Sequence, residues 1–146
     1  MSPPDDPRAS GVVALTQTAE LTFSADPDLV MLARMVAAAT ASRAGFSIEQ
    51  VEDLRLAVNE LCLGLIGTHA AEGRLQVRFG WSEDIVEVMA TYHPRGAPSH
   101  SPARSRMTEQ ELSTRILDTL VDEYGLEQAR GTPQAWLRVR RRTSAS

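Results

Sequence analysis

The chain has 146 residues, 42% of them hydrophobic and 23% charged, the make-up of one soluble globular domain with chain enough for a sizeable core. A net charge of −4, carried with fifteen arginines and no lysine, speaks against general nucleic-acid affinity and removes lysine-based Schiff-base or phosphate chemistry. No apolar run approaches the roughly 20 residues of a membrane span, the N-terminus lacks a secretory apolar region, and a single cysteine, Cys62, excludes an internal disulfide. A cytoplasmic protein is expected, without membrane contact and with Cys62 as a core thiol.

In chain order, residues 1–12 are rich in proline and aspartate and are expected to form a disordered arm. Residues 13–141 are expected to form one domain and residues 142–146 a frayed tail, and the chain's basic end from Arg138, RVRRRTSAS, is read as a solvated tail that frays. From Leu15 to Phe23, apolar Leu15, Ala19, Leu21 and Phe23 are interleaved with threonines and Glu20, which predicts a half-buried strand. Asp26 and Pro27 open a helix as cap and first-turn residue. Leu29, Leu32, Ala33, Val36 and Thr40 give it a buried stripe, and Gly45 ends it.

A second helix follows, with Ser47 and Gln50 as a capping box and Phe46 and Val51 as a hydrophobic staple. Val51, Leu54, Val58, Leu61, Cys62 and Leu65 line one stripe. Asp53, Ala57, Glu60 and Gly64 line another at spacings of four, three and four, so two carboxylates project from one side. Asp53 is expected to face solvent. Residues 74–81 and 85–92 alternate and read as an antiparallel hairpin turning at Ser82–Asp84. Residues 93–106, with three prolines and three arginines, form a long loop.

A third helix is predicted from a capping box of Thr108 and Glu111, stapled by Met107 and Leu112 and running to Gly125. Two strands close the chain, Leu126–Ala129 and Ala135–Val139, joined at Arg130-Gly131. Helices interspersed with hairpins predict an α/β (α+β) two-layer sandwich: a mixed, mainly antiparallel sheet covered on one face by helices.

The run Leu32 to Cys62, LARMVAAATASRAGFSIEQVEDLRLAVNELC, resembles the start of the histidine-kinase-type ATPase domain of RsbW-like anti-sigma factors. Leu120-Val121-Asp122-Glu123 matches a second piece of that family, and the likeness extends from about Leu21 to Arg140. It implies the histidine-kinase-like ATPase (Bergerat) fold. It further implies a protein that holds a sigma factor, phosphorylates a serine on an anti-anti-sigma (STAS-type) partner with ATP and magnesium, and forms a homodimer.

The resemblance also implies three nucleotide boxes, and each can be placed on this sequence. In the first, a glutamate acts as general base and an asparagine one turn later holds magnesium. Glu60 matches the glutamate, but Gly64 stands at the asparagine position. Asn59 points about 100° away from Glu60, and His69 falls one position late for the family's histidine. In the second box, an aspartate reads adenine and a glycine admits the backbone. Tyr92 and Pro94 occupy those positions. In the third, two glycines cradle phosphate at a helix N-terminus; here they are Glu111 and Ser113, and a capping Glu111 would repel a triphosphate.

Catalytic Glu60 thus survives alone. The implied reading is an anti-sigma-type regulator that binds a sigma factor or an anti-anti-sigma protein, with a degenerate ATP site and no cofactor. The alternative is an ATP- and magnesium-dependent serine-protein kinase. A nucleic-acid role for Arg138, Arg140, Arg141 and Arg142 is disfavoured by the acidic total and the scarcity of aromatics.

Overall fold

The computed structural model of the chain describes residues 15–67, 72–95, 114–129 and 132–142. Strand β1 spans Gln17–Ser24, and a 3-10 turn, Pro27–Leu29, leads into α1, Val30–Arg43. Helix α2 follows as Ile48–Gly67, then β2 (Arg74–Ser82), β3 (Ile85–His93), α3 (Thr114–Leu120), β4 (Glu123–Ala129) and β5 (Thr132–Arg140). The strands form one sheet in the order β1-β2-β3-β5-β4, antiparallel throughout. The helices cover one face of it, α1 packing on β2, and α2 on β3 and β5. The expected two-layer sandwich is observed.

Local signals set most of these boundaries. Asp26 accepts the Asp28 N–H at 2.9 Å, so the predicted cap forms and its first turn is the 3-10 turn. Gly45 sits at φ 82°, with its N–H on the Ser42 carbonyl and the Phe46 N–H on the Ala41 carbonyl. That is a Schellman end, which an L side chain adopts only with strain. Ser47 Oγ accepts the Gln50 N–H at 3.2 Å. The other half of the predicted capping box is absent, because the buried Gln50 amide is used elsewhere. It donates to the Arg140 carbonyl at 3.1 Å and accepts the Arg142 N–H at 3.0 Å, tying the end of β5 to the start of α2. Arg140 and Arg142 are therefore held at the backbone, where a fraying tail was expected.

The core lies between α1, α2 and the inner sheet face. Leu54, Val58, Leu61, Cys62 and Leu65 of α2 meet Leu75, Val77, Phe79, Val88 and Leu137, all buried. On α1 the buried stripe is Val30, Ala33, Ala37, Thr40 and Ala41. Leu32, expected in that stripe, is 37% exposed, because alanines rather than leucines make the close contact.

The third helix differs most. It ends at Leu120, and Gly125, expected to end it, lies inside β4 opposite Trp136. The reason is tertiary: the Asp122 N–H already bonds the Arg138 carbonyl at 3.0 Å, so strand pairing has begun. A Cβ on Gly125 would come within 2.7 Å of the Trp136 indole nitrogen, so the bare glycine makes room for the ring. The Thr108/Glu111 box, its Met107/Leu112 staple, residues 96–113, and the first 14 residues lie outside the described residues.

Candidate functional site

Helix α2 presents Glu60 and Gly64 one turn apart, above β3, the strand that carries Tyr92 at its end. The site is thus assembled from one helix and the strand beneath it. Gly64 is buried in the helix interface, while Glu60 and Asp53 are half-buried. Asp53 was expected in solvent; the stripe it shares with buried Ala57 and Gly64 draws it inward. Among the described residues no arginine pairs with Glu60. Asn59 is engaged elsewhere: its Oδ1 accepts Arg34 Nη1 of α1 at 2.7 Å. That bond fixes the side chain toward α1, in agreement with the turn of the helix that separates it from Glu60.

Tyr92 is 3% exposed and belongs to the core. It sits opposite Leu75 on β2, and a Cβ on Gly73 would lie 3.0 Å from its hydroxyl. Gly73 has φ 113°, and its carbonyl accepts the Ala25 N–H at 3.0 Å. A residue with a side chain there would run into the His93 carbonyl as well as the phenol. Burial, then the nearby Glu72 charge, raise the Tyr92 pKa, so the phenol is neutral at physiological pH. Pro94 is exposed, just past the end of β3. Glu111, Ser113 and His69 lie outside the described residues.

Cys62 is fully buried beside these residues, and burial pushes its thiol up to about 12, which leaves it protonated and unreactive. Among the described residues no group of three or more His, Cys, Asp or Glu side chains is placed to hold a metal ion.

A separate feature lies on the other face of the sheet, which no helix among the described residues covers. A cleft of about 320 Å³ opens there between Thr18, Arg78, Gly80, Met89 and Trp136. Beside it, Arg138 is 5% exposed and bonded to Glu87 at 2.6 Å and Glu123 at 3.1 Å, with its guanidinium 5.7 Å from the Trp136 ring centre. Burial works against the charge of Arg138, but the hydrogen bonds and charges of Glu87 and Glu123 outweigh it and raise the pKa. Sequence reading placed Arg138 in a basic tail. Strand alternation, with Arg138 outward on β5 and Glu87 outward on β3, is the signal that would have found the pair. The Arg34–Asn59 bond had no such signal, since it depends on how α1 crosses α2.

Residues 23–140 match the family model of the histidine kinase-like ATPase domain. The chain is similar to the serine-protein kinase RsbW of Bacillus velezensis, 29% identical over 133 residues that cover 80% of this chain and 81% of that protein. The RsbW of Bacillus subtilis is 28% identical with the same coverage. That of Oceanobacillus iheyensis is 36% identical over 74 residues, 48% of this chain and 46% of the relative.

Proposed function

The chain belongs to the histidine kinase-like ATPase domain family, and from that premise we propose that it is an anti-sigma-type regulator that works by holding a partner rather than by transferring phosphate. The partner is a sigma factor or an anti-anti-sigma protein of STAS type. The observation that carries this reading is Tyr92. At the position where the family places an adenine-reading aspartate stands a buried, neutral phenol packed beside Gly73. A carboxylate accepts the adenine amino group; a phenol filling that part of the core offers neither the charge nor the space.

The remaining groups point the same way. Gly64 brings no ligand for magnesium, and Asn59 is bonded to Arg34. The residues present therefore do not fit ATP and its metal, and no phosphoryl-transfer step is derived from them. Glu60 keeps the position of the general base. Losing even one preorganised electrostatic group commonly costs about 10²–10³ in rate.

The second reading is a serine-protein kinase acting on an anti-anti-sigma factor. It rests on the names of the RsbW relatives and on Glu60. Isothermal titration with Mg-ATP separates the two. No binding is expected for the chain as it stands, nor for Gly64→Asn alone, because the tyrosine remains. Micromolar binding by the unaltered chain would overturn the non-catalytic reading. For the partner, purified sigma factors and anti-anti-sigma proteins of the same organism are mixed with the chain and separated by gel filtration. Co-elution with at least one is expected, and failure with all of them removes the sequestering role.

A further inference from the structure

On the sheet face that no described helix covers, two strand glycines have large apolar side chains lying on them. A Cβ at Gly80 of β2 would come within 2.6 Å of Leu15 Cδ1. One at Gly125 of β4 would come within 2.7–3.0 Å of three atoms of the Trp136 ring. A glycine inside a strand often marks such a close approach. Leu15 and Trp136 thereby wall the cleft of about 320 Å³ on two sides. β3, carrying half-buried Met89, runs between their supporting strands.

Leu15 reaches this face by a local break in the strand pattern. Alternation through Phe23, Leu21 and Ala19 would carry it to the helical face. Gln17 is the residue paired with Trp81. Yet the N–H and the hydroxyl of Thr16 both reach the Trp81 carbonyl, at 3.1 and 3.2 Å. One residue more than the ladder needs is held at that carbonyl, and the side chain before it changes face. The chain therefore enters β1 from the uncovered side.

We infer that Val12 and Val13 continue from Leu15 into this cleft and fill it against Met89 and Trp136, so that the N-terminal segment is a strap over the uncovered face. The place where the described chain begins identifies the occupant, because Leu15 already lies in the cleft. Two strand spacings, about 10 Å, separate Gly80 on β2 from Trp136 on β5. Three residues of extended chain, from Leu15 back to Val12, span about the same distance. Val12-Val13-Ala14-Leu15 is an apolar run, and it is preceded by Gly11 and by polar, proline-rich chain. The run thus has both the reach and the chemistry for the cleft.

The charges round the cleft also favour an aliphatic occupant. Arg138 is bonded to Glu87 and Glu123, and Arg78 lies 3.4 Å from Glu20. Each of these cations faces a carboxylate, which leaves no excess positive charge to draw an anion. What remains to be covered is the apolar surface of Trp136 and Met89. A tethered segment has the advantage over a separate chain, since a short connection gives about millimolar effective concentration. A partner that uses this face must first displace the strap. The inference stands apart from the reading of the nucleotide site.

The test uses the full chain. Val13→Cys combined with Met89→Cys is expected to form an intrachain disulfide under mild oxidation, at a rate independent of protein concentration. Ser2→Cys combined with Met89→Cys is the control, and buried Cys62 does not compete. A second measurement uses a Trp81→Phe background, which leaves Trp136 as the only tryptophan. There, Val12→Ser with Val13→Ser is expected to raise the acrylamide quenching constant about twofold or more, as the ring loses its apolar cover. The circular dichroism spectrum is expected to stay unchanged, because both positions precede β1. A disulfide that forms only between chains assigns the cleft to a second copy and overturns the inference. So does one that forms no faster than the control, or a quenching constant that the two serines leave unmoved.

Discussion

Cys62 illustrates how far a single residue could be read in advance. Its place in the apolar stripe of a helix identified a core thiol, and it is fully buried. The folded-state pKa of about 12 lies above the unfolded value of 9.0, so the native state holds the proton more tightly. The stability this contributes is complete below pH 9 and lost as pH rises from there towards 12. Native protein should therefore leave Ellman's reagent unreacted until denaturant is added, and Cys62→Ala should show a shallower alkaline loss of stability over that window. Arg138 was misread because a run of arginines near a terminus looks solvated, whereas its two carboxylate partners lie on other strands. Removing it leaves Glu87 and Glu123 facing each other without a cation. Arg138→Ala should cost about 3 kcal/mol in urea unfolding, while Arg78→Ala, whose pair with Glu20 is well exposed, should cost less than about 1 kcal/mol. Equal losses would refute this account of the uncovered face.

Among the elements, those that close their own ends were legible. The Asp26 cap, the Gly45 Schellman end and the Ser47 bond are satisfied within a few residues of chain, so local chemistry decides them. The end of α3 was not. Leu120 to Gly125 has helical composition and a terminal glycine, yet Asp122 and Glu123 are claimed by β5, and the glycine serves a ring on the neighbouring strand. A methyl group at position 125 forces the Trp136 indole to shift. Gly125→Ala should destabilise the fold by about 1–3 kcal/mol, and much less in a Trp136→Ala background. A double-mutant cycle with no coupling between the two positions would show that the glycine is there for another reason. Gln50 teaches the same lesson in a smaller way: the sequence supplied a helix-start residue, and the packing of β5 gave its amide a different partner.

At the scale of the whole molecule, the described residues place one helical layer on one face of a five-stranded sheet. The candidate nucleotide site lies on the helical side, where Glu60 and Gly64 fall on α2 and Tyr92 on β3; the charged cluster of Arg138 and its cleft lie on the other. By itself the sequence determined the element order and the two-layer architecture, because periodicity, capping and spacing act over a turn or two of chain, while the likeness to the family was carried by one contiguous run, Leu32 to Cys62. Tertiary structure alone decided that Tyr92 is a packed core residue, that Asn59 belongs to Arg34, and that Arg138 is caged by two glutamates. Each of those is a contact between segments tens of residues apart. No local free-energy term reports such a contact until the helices have crossed and the strands have settled into register.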